Sequence, residues 1–281
     1  MRDGKLRIGV VAPASRIEPA LAEKVIAIAR AQFPDRPPEL VFHPQCYLSS
    51  GHFAGDDEAR AAAFLDVAND ESFDVLWIAR GGYGSGRLAE NVLPALSTAA
   101  RRKIYLGYSD AGSLLGAMYA HGFQNLLHGP MPADLLREGG EVAVRRALSF
   151  LVEADPRAVE PSVGSQPTAA FNLTILSHLL GTPFEPDLSG HVLMFEEVSE
   201  HMYRIDRAML HITSSPNIRR VAGIRLGRCS AIPPNEPSFR QSEEDVAEHW
   251  CTVSGIAYLG RADIGHDIDN KIVPFGRLPG I

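Results

Sequence analysis

The first half of the chain alternates short β-branched runs with amphipathic segments, and this alternation limits the possible folds more than any other feature. Strands are predicted at residues 6–12, 40–43, 74–79, 103–107 and 125–128, and helices at residues 21–31, 57–69, 87–96 and 111–120. Alternation of this kind is typical of βαβ units, whose strands form a parallel sheet covered by helices on both faces. We therefore predict an α/β fold, with any site at the carboxyl ends of the strands.

The alternation fails between residues 154 and 169, where Asp, Pro, Gly and Ser predict turns. Beyond this segment, helices are predicted at residues 171–180 and 203–212, and strands at residues 191–195, 222–226 and 255–259. We place a domain boundary at this segment. The expected organisation is an N-terminal α/β domain at residues 1–155 and a smaller C-terminal α+β domain at residues 165–281.

The chain has 281 residues, of which 45% are hydrophobic and 22% charged, and its net charge is -7. This composition is typical of a soluble globular protein, and the acidic balance argues against nucleic acid or an anionic membrane as a partner. The apolar run at residues 6–12 is too short for a secretory signal, and no run reaches the roughly 18 apolar residues of a membrane span. Because Cys46, Cys229 and Cys251 form no Cys-x-x-Cys pair, we expect free thiols and a cytoplasmic location.

Gly107-Tyr-Ser-Asp110 joins the predicted strand at residues 103–107 to the predicted helix at residues 111–120. A serine on such a turn is exposed on a rigid support beside backbone N–H groups, as a nucleophile elbow requires. The spacing is Gly-x-Ser-x-Ala, so the Gly-x-Ser-x-Gly signature of α/β-hydrolases is missed. Ser109 is therefore a candidate nucleophile, and the alternative is that Ser109 or Asp110 caps the helix.

Arg80-Gly-Gly-Tyr-Gly-Ser-Gly-Arg87 is a glycine-rich turn that follows the predicted strand at residues 74–79. Its Gly-x-Gly-x-Gly spacing is one residue short of the dinucleotide fingerprint, and no Gly-Lys-[Ser/Thr] ending occurs, so no nucleotide cofactor is expected. Two interpretations stay open: a tight turn that needs positive φ, or a backbone whose N–H groups hold an oxyanion. The histidines and acids also lack the spacing of a zinc or calcium site, so we expect no metal.

A serine nucleophile needs a base, and the base usually needs a carboxylate that fixes its tautomer. The acidic run Phe195-Glu-Glu-Val-Ser-Glu200 offers such carboxylates at the end of a predicted strand, although a solvated strand end would have the same composition. Among the ten histidines, His266 in a polar loop and His128 at the end of a strand are candidate bases. The alternative for each is a hydrogen-bonded structural histidine.

Several motifs in chain order resemble the L,D-carboxypeptidases of the serine peptidase S66 type. They are Arg80-Gly-Gly-Tyr-Gly84, Gly107-Tyr-Ser-Asp110, His128-Gly-Pro-Met131, Phe171-Asn-Leu173, Phe195-Glu-Glu-Val-Ser-Glu200 with Tyr203-Arg-Ile-Asp-Arg207, and Gly265-His266. The similarity extends over essentially the whole chain. That family also includes the peptidases that give immunity to microcin C-like antibiotics.

The resemblance implies a triad in which Ser109 is the nucleophile, Glu196 the carboxylate and His266 the base. It places the oxyanion donors at the backbone N–H groups of Gly82 and Asp110. Tyr83, next to Gly82, is a candidate substrate-binding residue.

The resemblance further implies a cofactor-free, cytoplasmic homodimer whose C-terminal domain is of mainly β character. Two features depart from the family's pattern. Asp267 follows His266 where the family often has glycine, and this added carboxylate can perturb the pKa of the base. The segment at residues 233–248 is individual to this chain, so the substrate pocket need not be inherited intact.

The expected function is a serine carboxypeptidase that releases terminal D-alanine from the murein tetrapeptide, a small peptide of cell-wall recycling. One alternative is the same chemistry on a microcin C-like peptidyl- or aminoacyl-nucleotide. A second alternative, from another class, is a non-enzymatic protein that closes on a small ligand and uses the glycine turn for recognition.

Overall fold

The computed structural model of the chain describes residues 5–278; residues 1–4 and 279–281, the outer ends of the two predicted domains, lie outside it. A six-stranded sheet has the order β10-β5-β4-β3-β1-β2, in which only β10 is antiparallel. Its strands are β1 (Arg7–Val11), β2 (Glu39–Phe42), β3 (Val75–Ile78), β4 (Ile104–Gly107), β5 (Leu126–His128) and β10 (Val273–Pro274). Strand β10, from the C-terminal half, therefore lies in the sheet of the N-terminal half.

Helices cover both faces of this sheet. They are α1 (Pro19–Gln32), α2 (Asp57–Asn69), α3 (Ala89–Val92), α4 (Ala111–Ala120) and α5 (Glu141–Glu153). In the central strand β3, Val75 and Trp77 join the apolar core under α1 and α5, whereas Leu76 and Ile78 join the core under α2 and α4. The sequence of a strand that is buried on both faces is a continuous apolar run, because successive side chains enter opposite cores.

A second sheet, in the C-terminal half, has four parallel strands in the order β6-β7-β8-β9. The strands are β6 (Thr168–Asn172), β7 (Val192–Val198), β8 (Gly223–Ser230) and β9 (Tyr258–Arg261), joined by helices α6 (Leu173–Leu179), α7 (Met202–Ser214) and α8 (Glu243–Ser254). Parallel strands need long crossover connections, which explains the helices between them. The α/β fold class, with a larger N-terminal sheet and a smaller C-terminal one, is confirmed.

The two halves meet where α4 packs on α6. A Cβ built on Gly116 of α4 would lie 2.8 Å from Leu179 Cδ1 and 3.1 Å from Phe171, so these elements are in close contact at this glycine. A single apolar cluster includes residues of both halves, from Val11 to Phe275. The loop between the halves therefore joins two parts that share one core.

Several elements differ from the sequence-based prediction, and helix α5 and strand β10 were not predicted at all. The helix predicted at residues 87–96 is broken into short turns around α3, because Pro94 supplies no backbone N–H. Strand β6 occupies residues assigned to the linker and to the start of a helix, and its small residues gave no period-2 signal. Helix α8 was missed, although Ser242 and Asp245 form a capping box at its start.

No helix within the described residues is long and apolar enough to cross a membrane. The three cysteines are free thiols, and Cys46 and Cys251 are buried. Burial raises the pKa of Cys46 to about 12, so this thiol is packed and unreactive at neutral pH.

We predict that Phe275→Ala destabilises the whole protein, because the Phe275 ring joins both halves behind β10. It is 1% exposed and lies 5.0 Å from the ring of Phe171 and 5.9 Å from that of Tyr119. The expected loss is about 3–5 kcal/mol in the free energy of unfolding, measured by urea denaturation. The control Val253→Ala removes an apolar side chain that is 61% exposed and should change stability little. A loss below 1 kcal/mol for Phe275→Ala would contradict this packing.

Candidate active site

Ser109 lies on the sharp turn between the end of β4 and the start of α4. Its φ is +60°, a left-handed conformation that is uncommon for residues other than glycine. Such strain is typical of a nucleophile elbow, where the turn lifts the hydroxyl above the sheet. The side chain of Asp110, at the cap position, makes no capping hydrogen bond to α4, and the Ser109 hydroxyl bonds to a histidine, so the helix-cap alternative is wrong.

His266 joins Ser109 to Glu196. Its Nε2 lies 3.0 Å from Ser109 Oγ, and its Nδ1 is hydrogen-bonded to Glu196 Oε2. Glu196, at the carboxyl end of β7, is fully buried, and His266 is 9% exposed. When Nδ1–H donates to Glu196, Nε2 is left to accept the hydroxyl proton of Ser109.

Two opposing effects set the pKa of His266. Burial disfavours the charged imidazolium, but the negative charge of Glu196 and its hydrogen bond outweigh burial and raise the pKa of His266 above its ordinary value. A base that gains proton affinity from a buried carboxylate is suited to take a proton from a hydroxyl.

His128, the other candidate base, does not reach Ser109. It is buried, and burial lowers its pKa to about 4, so the ring is neutral at physiological pH. Its Nε2 lies 3.3 Å from Asn270 Oδ1, which also accepts a hydrogen bond from the backbone N–H of Gly265 at 3.2 Å. Asn270 thereby fixes the loop that carries His266, a role that no sequence motif had indicated.

The glycine turn approaches Ser109 from the neighbouring strand, β3. A Cβ on Gly81 would lie 2.9 Å from Ser109 Oγ, so only glycine leaves this hydroxyl free. Gly82 has φ +112°, which also favours glycine. Among the described residues, no acceptor bonds to the backbone N–H of Gly82 or of Asp110. Sequence reasoning singled out Gly82 but missed Gly81, whose only signal was its place in a Gly-Gly pair.

The carboxylate of Asp110 ties the two turns together. It accepts hydrogen bonds from the backbone N–H groups of Gly84 at 3.2 Å and Ser85 at 2.8 Å, and Ser85 Oγ donates to the Asp110 carbonyl at 2.5 Å. Asp110 is 3% exposed. The turn that carries Ser109 and the glycine turn are therefore held as one rigid unit.

Glu197 has a different environment from Glu196, as expected for neighbours on a strand. Its carboxylate accepts hydrogen bonds from Asn172 Nδ2 at 2.7 Å and from the N–H and hydroxyl of Thr174 at 3.0 and 2.7 Å. Burial raises the pKa of Glu197 despite these bonds. Glu197 thus holds the start of α6 in place, whereas Glu196 faces His266.

A cavity of about 600 Å³ opens beside Ser109 and is lined in part by Gly82, Tyr83 and Asp110. Tyr83 is 57% exposed at its edge, so its ring is available to a ligand. Within residues 5–278, no group of three or more His, Cys, Asp or Glu side chains is arranged to hold a metal ion.

Asp267, which follows His266 where the family often has glycine, forms an ion pair with an arginine. Arg228 of β8 donates to Asp267 through Nε and Nη2, and its Nη1 lies 2.6 Å from Asp263. Burial alone would raise the pKa of Asp267, but the hydrogen bonds and charge of Arg228 lower it overall. Because Arg228 compensates the negative charge of Asp267, Glu196 is still the dominant anion beside His266.

Two family models match the chain in order. The LD-carboxypeptidase N-terminal domain matches residues 8–129, and the LD-carboxypeptidase C-terminal domain matches residues 168–279. A protein of Synechocystis sp., provisionally named as a carboxypeptidase, is 32% identical over 246 residues, which are 85% of this chain and 79% of that protein. The murein tetrapeptide carboxypeptidase of Pseudomonas aeruginosa is 24% identical over 96% of this chain and 91% of its own length.

Solved structures share the fold. The muramoyltetrapeptide carboxypeptidase from Oxalobacter formigenes superposes with a TM-score of 0.80 at 22% identity, covering 96% of this chain and 92% of its own. The microcin C7 self-immunity protein MccF in complex with aspartyl sulfamoyl adenosine superposes with a TM-score of 0.78 at 17% identity, covering 96% of this chain and 91% of its own. Because both family models match over most of the chain, the resemblance found in the sequence is confirmed: the chain belongs to the LD-carboxypeptidase family of peptide hydrolases.

Proposed function

We propose that this protein is a serine L,D-carboxypeptidase that releases terminal D-alanine from the murein tetrapeptide. The observation that carries the proposal is the hydrogen-bonded series Ser109–His266–Glu196, whose serine lines an open cavity. The substrate is inferred from relatives whose names include murein tetrapeptide carboxypeptidase. The cytoplasmic location and the homodimer implied by the resemblance stay predictions.

The third residue of the murein tetrapeptide, which precedes terminal D-alanine, is a diamino acid. In the proposed reaction, Ser109 Oγ attacks the carbonyl carbon of this diamino acid while His266 Nε2 takes the hydroxyl proton. Glu196 stabilises the resulting imidazolium through its bond to Nδ1. His266 then gives the proton to the departing amine, the C–N bond breaks and D-alanine leaves. A water molecule, deprotonated by His266, attacks the acyl ester, and Ser109 recovers its proton.

The tetrahedral intermediate carries a negative oxygen that needs fixed donors. The N–H groups of Gly82 and Asp110 are free among the described residues and line the same cavity as Ser109, which supports their assignment as the oxyanion hole. Because the Asp110 carboxylate binds the glycine turn, the two donors are preorganised. Tyr83, at the edge of the cavity, is the proposed contact for the body of the substrate.

The similarity in fold to MccF keeps a nucleotide-linked substrate as the alternative for the same catalytic residues. A panel that contains the murein tetrapeptide and an aminoacyl-sulfamoyl nucleoside, scored by mass spectrometry, separates the two substrates. A purely ligand-binding protein would leave every compound of the panel intact.

Ser109→Ala should abolish release of D-alanine from the tetrapeptide. Loss of a triad nucleophile typically lowers the rate by roughly 10⁴- to 10⁶-fold. The fold should persist, because the change removes one hydroxyl from a turn and opens no core cavity; a thermal melt checks this. Ser189→Ala, which alters a serine bonded only within its own loop, is the matched control. Activity above a tenth of wild type in Ser109→Ala would refute the nucleophile.

Glu196→Gln should be more damaging than Glu197→Gln. The first substitution removes the charge that stabilises the His266 imidazolium, and we expect kcat to fall by about 10³- to 10⁴-fold. The second alters a carboxylate that lines the cavity and supports Asn172 and Thr174 but makes no hydrogen bond to His266, so the expected loss is smaller. Rates of D-alanine release under saturating substrate provide the comparison, and equal losses or the reverse order would contradict the assignment.

The pH dependence of kcat/KM should reflect the protonation of His266. The base must be neutral to accept a proton, so kcat/KM is expected to fall as the pH drops through the pKa of His266, which Glu196 holds above the ordinary value. In Glu196→Gln, burial remains without the compensating charge, so this acidic limb should move to lower pH. Glu197→Gln should leave the limb in place. An unchanged limb in Glu196→Gln would mean that another group is titrating.

A further inference from the structure

A groove between α6 and α7 continues the Ser109 cavity. Its volume is about 560 Å³, and it shares Thr174, His178 and Glu200 with that cavity. The rest of its lining is Ser177, Tyr203, Arg204, Arg207, Ala208 and His211. A peptide whose carbonyl lies at Ser109 can therefore extend along the protein surface into the groove.

The groove carries positive charge in a protein whose net charge is -7. Its only carboxylate, Glu200, lies 3.3 Å from Arg204 Nη1 and so compensates that guanidinium. Arg207 lies one helical turn further along α7, and among the described residues no carboxylate is within 4 Å of it. One guanidinium is therefore available to an anion from solution.

Tyr203 holds both guanidiniums at the edge of the groove. The Arg207 guanidinium lies 5.5 Å from the centre of the Tyr203 ring and that of Arg204 lies 5.8 Å from it, and Arg204 Nε donates to the Tyr203 hydroxyl at 3.2 Å. His201 stacks on the same ring at 5.5 Å. Contact with an aromatic ring restricts a guanidinium, so less freedom is lost when it binds a ligand.

We propose that this groove is a carboxylate-binding subsite for the acyl part of the substrate, with Arg207 as its main determinant and Arg204 as a second one. The inference rests on the proposed function. In a murein stem peptide, the residue before the diamino acid is a γ-linked D-glutamate, whose α-carboxylate is free. A guanidinium pairs bidentately with a carboxylate but loses the charge-assisted bond to the carboxamide of the amidated peptide. The subsite therefore favours the acidic peptide over its D-isoglutamine counterpart.

The test compares the affinities of these two tetrapeptides in the Ser109→Ala background, measured by calorimetry. Arg207→Gln should weaken binding of the acidic peptide by about tenfold, as expected for the loss of a hydrogen bond to a charged group. It should change binding of the amidated peptide less than twofold. The matched control is Arg220→Gln, which alters another exposed arginine that lies 3.5 Å from a carboxylate, Asp187. This control should affect neither peptide.

An Arg207→Gln variant that weakens both peptides equally, or neither, would overturn the subsite. Release of D-alanine by the unmodified protein is scored separately. If it cleaves neither peptide, the proposed function fails, whereas the ratio of the two affinities still decides whether the groove recognises a carboxylate.

Discussion

His266 contacts both Ser109 and Glu196, so the geometry of the site requires the two halves of the chain to be held at a fixed separation. Ser109 follows a strand of the first sheet, and Glu196 lies near the carboxyl end of a strand of the second. His266 lies in the loop that joins β9 of the second sheet to β10, which belongs to the first sheet. The shared core of the two halves, with Phe275 and the α4–α6 contact, therefore fixes the distance at which these three side chains meet.

Electrostatics at the site is a balance between burial and paired charges. Burial keeps His128 neutral, whereas Glu196 offsets the same effect at His266. The additional carboxylate Asp267 is bound by Arg228 and so does not compete with Glu196. The pKa values of the two histidines therefore shift in opposite directions, because only His266 is hydrogen-bonded to Glu196.

Most of the long periodic elements of the first half, though not helix α5, and the three residues that meet at the site were predictable from the sequence. Ser109 lies between a predicted strand and a predicted helix. Glu196 and His266 were indicated by motifs that occur in the same order as in the family. The contributions of Asn270, Arg228 and the Asp110 carboxylate were not predictable, because each acts through a contact with a distant segment. Strand β6 was missed for a similar reason: its small residues form a strand only because β7 pairs with them.

In the proposed mechanism, Ser109 becomes acylated while His266 takes its hydroxyl proton. Its most direct test is rapid mixing of the protein with tetrapeptide, quenching in acid within the first turnover, and mass spectrometry of the digested chain. We expect a transient adduct of the tripeptide acyl group on the peptide that contains Ser109, formed as D-alanine appears. Release of D-alanine during the first turnover with no adduct on Ser109 at any time would contradict it.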